Sequence, residues 1–129
     1  MILDTDLLIA LLKGQTDANE AMQRLDENGD RVATTIITAY ELLRGAHISS
    51  KPERNLAEVQ KLLSDVDVLD LTLQACEEAS KIYRDLRRAG GLIGEFDVLI
   101  AAIARTHGET VMTRDEHFNL IRGINVAEW

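Results

Sequence analysis

The sequence predicts an α/β fold: a parallel sheet of four to five strands flanked by helices on both faces. Three observations carry this expectation. The segments of strand character are short and apolar throughout instead of alternating, as strands buried on both faces must be. They take turns along the chain with segments of helical period, and glycines close three of those helical segments.

Taken in order, Ile2 and Leu3 form a short apolar strand that runs into Asp4-Thr5-Asp6, after which Leu7, Leu8, Leu11 and Leu12 recur at helical spacing. A second helix over residues 18–28 stops at Gly29, and residues 31–37, rich in β-branched side chains, are expected as the second strand. Thr38 then starts a helix whose apolar stripe is Leu42, Leu43 and Ala46. After a turn at residues 49–52, a further helix carries Leu56, Val59, Leu62 and Leu63 inward, and residues 66–71 are the third strand. Residues 73–89 form a long amphipathic helix stopped by Gly90-Gly91. The next helix, residues 95–107, is apolar on every side from Val98 to Ala104, which marks it as buried. Thr110-Val111-Met112 is the fourth strand and Ile124-Asn125-Val126 a short fifth.

A length of 129 residues suits one domain spanning 1–129, and folding at that size removes roughly two thirds of the unfolded surface from water. With a single proline and no polar or Gly/Ser tract, neither linkers nor disordered arms are expected. The longest apolar run, Val98 to Ala104, falls far short of the roughly 20 residues of a membrane span, and the amino terminus lacks a basic signal region. A cytoplasmic protein is expected. The one cysteine, Cys76, has no disulfide partner and reads as a small buried hydrophobe. The net charge of −8, from 22 acids against 14 bases, opposes nucleic-acid binding by bulk electrostatics unless some acids hold cations and the bases cluster.

In a parallel sheet ligands bind beyond the carboxyl ends of the strands. Asp4 follows strand one, Glu41 lies one helical turn past strand two, and Asp115 lies about three residues past strand four. Asp97 occupies the first turn of the buried helix. Each acid also has a structural explanation, since carboxylates favour helix amino termini. Asp4 and Asp6 suit capping of the first helix, Thr38-Ala39-Tyr40-Glu41 matches a capping box, and Asp97 sits where a helix dipole favours it. Asp115 has no evident structural duty. Four carboxylates brought together repel unless a divalent cation joins them, and an all-oxygen set selects Mg²⁺ or Mn²⁺. The chemistry suggested is phosphoryl transfer to water, with no protein nucleophile.

Four segments in order resemble the PIN domains, and within them the VapC-type ribonuclease toxins of prokaryotic toxin-antitoxin modules. They are Ile2-Leu3-Asp4-Thr5-Asp6-Leu7-Leu8-Ile9, Thr38-Ala39-Tyr40-Glu41-Leu42-Leu43-Arg44-Gly45-Ala46, Ile93-Gly94-Glu95-Phe96-Asp97-Val98-Leu99-Ile100-Ala101-Ala102 and Met112-Thr113-Arg114-Asp115-Glu116-His117-Phe118. The resemblance spans essentially the whole chain and implies a PIN-like three-layer domain. It implies that Asp4, Glu41, Asp97 and Asp115 are the family's acidic quartet, with Asp4 and Asp97 as direct ligands and Thr113 orienting the site. The family commonly has Asn or Ser where this chain has Asp6, which adds a fifth carboxylate beside the quartet. The resemblance further implies an Mg²⁺- or Mn²⁺-dependent endoribonuclease acting on RNA, a homodimer, and inhibition by a small cognate antitoxin.

For the RNA backbone, Lys81, Arg84 and Arg88 share one face of the long helix beside Arg87 and form a candidate phosphate strip; a solvated face paired with Glu77, Glu78 and Asp85 explains them equally. Arg44 and Arg114 each lie within three residues of a proposed ligand, placed to hold RNA or an antitoxin carboxylate. His47, His107 and His117 read as surface residues, and Tyr40 and Tyr83 as core packing. Two rival functions are a receiver-like signalling domain, with Mg²⁺ beside Asp4 and Asp6 and phosphate on Asp70, and a PIN-like module without catalysis. The first leaves Glu41, Asp97 and Asp115 unexplained, and Arg114 and Arg122 stand where it would need a lysine.

Overall fold

Strand β1, Ile2–Leu3, is the centre of the sheet in the computed structural model, which describes residues 1–129. It pairs in parallel with β2, Ala33–Thr35, on one side and with β4, Thr110–Met112, on the other. Strands β3, Asp67–Leu69, and β5, Asn125–Ala127, complete the two edges, so the order is β3-β2-β1-β4-β5 with every pairing parallel. The predicted sheet is therefore present with all five strands.

Because side chains alternate across a strand, Ile2 and Leu3 face opposite sides, as do Val111 and Met112. Ile2 and Val111 pack beneath α5, Leu73–Ala89, and α6, Glu95–His107. Leu3 and Met112 meet α1, Thr5–Leu12; α2, Thr16–Glu27; α3, Ile36–His47; and α4, Pro52–Ser64. Helix α6 is buried at Val98 and along Ile100-Ala101-Ala102-Ile103-Ala104, as its all-round apolarity predicts. No helix is long and apolar enough to cross a membrane.

The second strand differs from its expected extent of 31–37. Thr35 leaves the sheet with extended backbone, and its hydroxyl accepts the Thr38 amide at 3.2 Å, so Ile36 and Ile37 form the first turn of α3. A capping bond outweighs the strand preference of two β-branched residues. The capping box expected at Thr38 and Glu41 does not form for the same reason: Thr35 is the cap, and Glu41 lies in the second turn. Thr35→Ala is expected to cost about 1–2 kcal/mol, the usual value of a lost threonine cap, with Thr35→Ser recovering most of it in urea unfolding; a loss below about 0.3 kcal/mol would remove Thr35 as the determinant of where β2 ends.

Three side chains sit further out than expected. Cys76 is exposed, because the buried stripe of α5 runs Ala75, Ala79, Ile82, Leu86 and leaves residue 76 just outside it. Tyr83 is likewise outside that stripe, and Tyr40 is 52% exposed on α3.

Candidate active site

The central strands end together, which gathers the residues that follow them. Asp4 comes directly after β1, and its amide donates to Met112 O of β4 at 3.2 Å. Asp4 is only 4% exposed. Its Oδ1 accepts the Leu7 amide at 2.9 Å, so it does cap α1 as its simpler explanation required. Its Oδ2 accepts the Thr113 hydroxyl at 2.5 Å. Capping and a place in the site are thus the same fact: the cap bond holds the carboxylate with its second oxygen toward β4.

Thr113 is the junction of this arrangement. Its amide donates to Ala127 O of β5 at 2.8 Å, its hydroxyl donates to Asp4, and the same oxygen accepts the Asp115 amide at 2.9 Å. Buried and one residue beyond β4, it locks the loop carrying Asp115 to the residue that follows β1.

Glu41 reaches the site from α3, where Thr5 Oγ1 donates to its Oε1 at 3.0 Å and also contacts Thr38 Oγ1 at 3.0 Å. Asp97 is the third residue of α6, after the Gly94 cap. Asp115, expected to have no structural duty, has one: it caps a 3₁₀ turn over Glu116–Leu120, its Oδ1 accepting the His117 amide at 2.9 Å. Asp4, Thr5, Asp6, Glu41, Asp97 and Asp115 line one cleft of about 230 Å³, closed underneath by Ile100 and Phe118.

The electrostatics follow from that crowding. Burial pushes the Asp4 carboxyl up to about 6, despite the opposing Thr113 and Leu7 hydrogen bonds; the negative charges of Asp6 and Asp115 add to the rise. Burial also raises Asp97 to about 6, and Asp115, Glu41 and Asp4 contribute in turn, against a smaller opposing effect of His117. No lysine or arginine pairs with any of the four acids. A carboxylate cluster with raised proton affinity and no protein counter-cation has the donor chemistry that suits a hard divalent ion.

One residue expected at the surface lies there and also borders the acids. His117 is 60% exposed by side chain, yet its Nδ1 lies 3.2 Å from Asp115 Oδ1. Ligand atoms of Asp97, Asp115 and His117 all fall within 4.8 Å of one another. The available signal was the two-residue spacing from Asp115, which a tight turn folds back on itself.

The arginines divide. Arg44, three residues beyond Glu41 on α3, has its guanidinium 5.2 Å from the Tyr40 ring centroid and 5.5 Å from that of Phe96, the neighbour of Asp97, the two rings meeting edge to face. Arg114 turns away: it pairs with Asp17 at 2.8 Å, donates to Trp129 O at 2.5 Å and stacks 3.7 Å over the Trp129 ring. On α5, Lys81 pairs with Glu78 and Arg84 with Asp85, as the solvated-face explanation expects, while Arg87 and Arg88 make no ion pair. Two roomier clefts along α5, of about 460 and 480 Å³, are lined by Arg84, Arg87, Arg88, Arg105 and Arg122. Asp70, the acceptor a receiver-like domain would need, follows edge strand β3 with β2 between it and Asp4.

Comparison with known proteins agrees with this fold. The PIN domain family model matches residues 1–124. The chain is 35% identical to the tRNA(fMet)-specific endonuclease VapC of Salmonella typhimurium and 32% identical to that of Shigella flexneri, in each case over 99% of this chain and 96% of the relative. A crystal structure of DNA-bound VapBC from Salmonella typhimurium superposes with a TM-score of 0.91 at 35% identity, covering 99% of this chain and 96% of that one. The chain belongs to the PIN domain family, among its VapC-type members.

Proposed function

We propose that this chain is a divalent-metal-dependent endoribonuclease, the toxin of a toxin-antitoxin pair, in which Asp4, Glu41, Asp97 and Asp115 hold Mg²⁺ or Mn²⁺. The observation that carries this reading is the convergence of four carboxylates from β1, α3, α6 and the β4 loop in one cleft without a counter-cation. When bound, the ion supplies a water of lowered pKa and neutralises charge on the scissile phosphate. Asp4 and Asp97 are assigned as direct ligands; Thr113 orients Asp4, and Thr5 orients Glu41. Asp6, exposed at the rim, adds negative charge beside Asp4.

Arg44 is placed to contact the RNA backbone next to the acids, and Arg84 and Arg88 contact it further off along α5. Arg84, Arg87 and Arg88 line one cleft, so bases are gathered locally despite the net charge of −8, and a bound cation offsets the charge of the site acids. Arg114 is committed to Asp17 and Trp129, and its part is to fix the carboxyl terminus. The domain is residues 1–129, cytoplasmic and homodimeric, with a small antitoxin as its partner and RNA as its substrate. The likeness to two tRNA(fMet)-specific endonucleases makes tRNA the first substrate to try.

The test is hydrolysis of a tRNA pool and of mixed RNA with Mg²⁺, Mn²⁺ or EDTA, beside Asp4→Asn. Cleavage is expected to need metal and to fall about 100- to 1000-fold in the variant, as when one group stabilising transition-state charge is removed. Cleavage that persists in EDTA, or unchanged in folded Asp4→Asn, would overturn the assignment.

A further inference from the structure

The acids suggest an all-oxygen site, but a nitrogen stands beside two of them at the edge of the cleft. Asp97, Asp115 and His117 offer one atom each, all within 4.8 Å of one another. Asp115 Oδ1 and His117 Nδ1 are 3.2 Å apart. Around a six-coordinate ion with bonds of about 2.1 Å, neighbouring ligands stand about 3 Å apart and opposite ones about 4.2 Å apart. The Asp115–His117 pair thus has the spacing of one octahedral edge, and Asp97 lies within 4.8 Å of both.

The backbone supports this placement. Phe118, 1% exposed, anchors the 3₁₀ turn in the core, and the Asp115 cap holds the first residues of that turn against the cleft. His117 lies between these two fixed points, and its Nδ1 has no partner other than the Asp115 carboxylate. Neutral imidazole presents one lone pair, and Mn²⁺, though also a hard ion, admits a nitrogen ligand more readily than Mg²⁺, which gives up its waters reluctantly.

We propose that His117 Nδ1 is a direct ligand of the cation held by Asp97 and Asp115, which makes this a mixed nitrogen–oxygen site that prefers Mn²⁺ to Mg²⁺. The proposal rests on the metal site proposed above and adds to it a ligand that the acidic quartet does not contain.

The test uses Mn²⁺ alone, with no RNA. Electron spin-echo modulation of the Mn²⁺ complex is expected to show directly bound ¹⁴N in the wild type and in His107→Ala, and to lose it in His117→Ala. Removing a partner outside the first coordination sphere already costs about 10- to 100-fold in metal affinity, so His117→Ala is expected to weaken Mn²⁺ binding by at least about tenfold. Mg²⁺ binding should change less than threefold in the same calorimetric titrations. Bound Mn²⁺ without nitrogen coupling, or His117→Ala that binds Mn²⁺ as tightly as wild type, would overturn the proposal and leave a plain Asp115–His117 hydrogen bond. Asp97→Asn separates this failure from that of the wider reading: if it binds Mn²⁺ as wild type does, the carboxylate site itself is misassigned.

Discussion

Asp97→Asn is expected to make the metal-free protein more stable while abolishing metal-dependent cleavage. The Asp97 carboxyl is pushed from its ordinary 3.8 to about 6, by burial first and then by the charges of Asp115 and Glu41. Each unit of such a shift corresponds to about 1.36 kcal/mol, but Asp97 is only half-buried and solvent screens part of it, which leaves about 1–2 kcal/mol at pH 7.5. For a domain of this size that raises Tm by about 4–8 °C.

The pH dependence has a definite sign. Between about pH 4 and pH 6 the folded protein keeps a proton that the unfolded chain has released, so this contribution to stability falls as pH rises through that window and is level above it. Asp4, also at about 6, acts in the same direction. Melting curves in EDTA at pH 4.5 and 7.5 check both points. The advantage of Asp97→Asn over wild type should be large at 7.5 and small at 4.5; an equal or lower Tm at 7.5 would show that neither burial nor the neighbouring acids penalise the Asp97 charge. Addition of Mn²⁺ should reverse the order, because only the wild type gains stability from the ion.

Thr113→Val is expected to damage fold and activity together. Valine keeps the shape but leaves Asp4 Oδ2 without its donor and the Asp115 amide without its acceptor. A hydrogen bond to a charged group is worth about 1.5–3 kcal/mol, and an unsatisfied amide adds to the loss, for a total of about 2–4 kcal/mol. Tm then falls by about 8–15 °C. Since the Thr113 bond opposes the effect of burial, its removal should also raise the Asp4 carboxyl further. Thr113→Ser retains the hydroxyl and should recover most of both losses. A Thr113→Val protein that melts within 2 °C of wild type would mean that the junction between β1 and β4 does not depend on this hydroxyl, an effect outside the range of about 1.5 kcal/mol or more that a charge-assisted bond supplies.

Much of this was legible in the residues. Short apolar strands between helical segments specify a parallel sheet buried on both faces, and the order of strands and acids along the chain puts Asp4, Glu41 and Asp115 at carboxyl ends. Boundaries were less legible where two local preferences compete. Ile36 and Ile37 favour a strand by side-chain shape, and the Thr35 cap draws them into α3. The exposure of Cys76 and Tyr83 turned on a rotation of α5 by less than one residue, which periodicity alone does not resolve.

Roles that depend on direction divide in the same way. Arg114 stands next to Asp115 in sequence, yet its side chain crosses to Asp17 and Trp129, since neighbouring residues beyond a strand point to opposite sides. His117 reads as a scattered surface histidine until the turn capped by Asp115 brings it back beside the acids. The sequence by itself determined the layer architecture and the four acids, because burial patterns and strand-end positions are properties of order along the chain. Only the tertiary structure decided which hydroxyl ties which carboxylate, which arginine remains free and that an imidazole lies beside Asp115. Those relations join residues as far apart as Asp4 and Thr113, whose side chains meet only when β1 and β4 lie side by side.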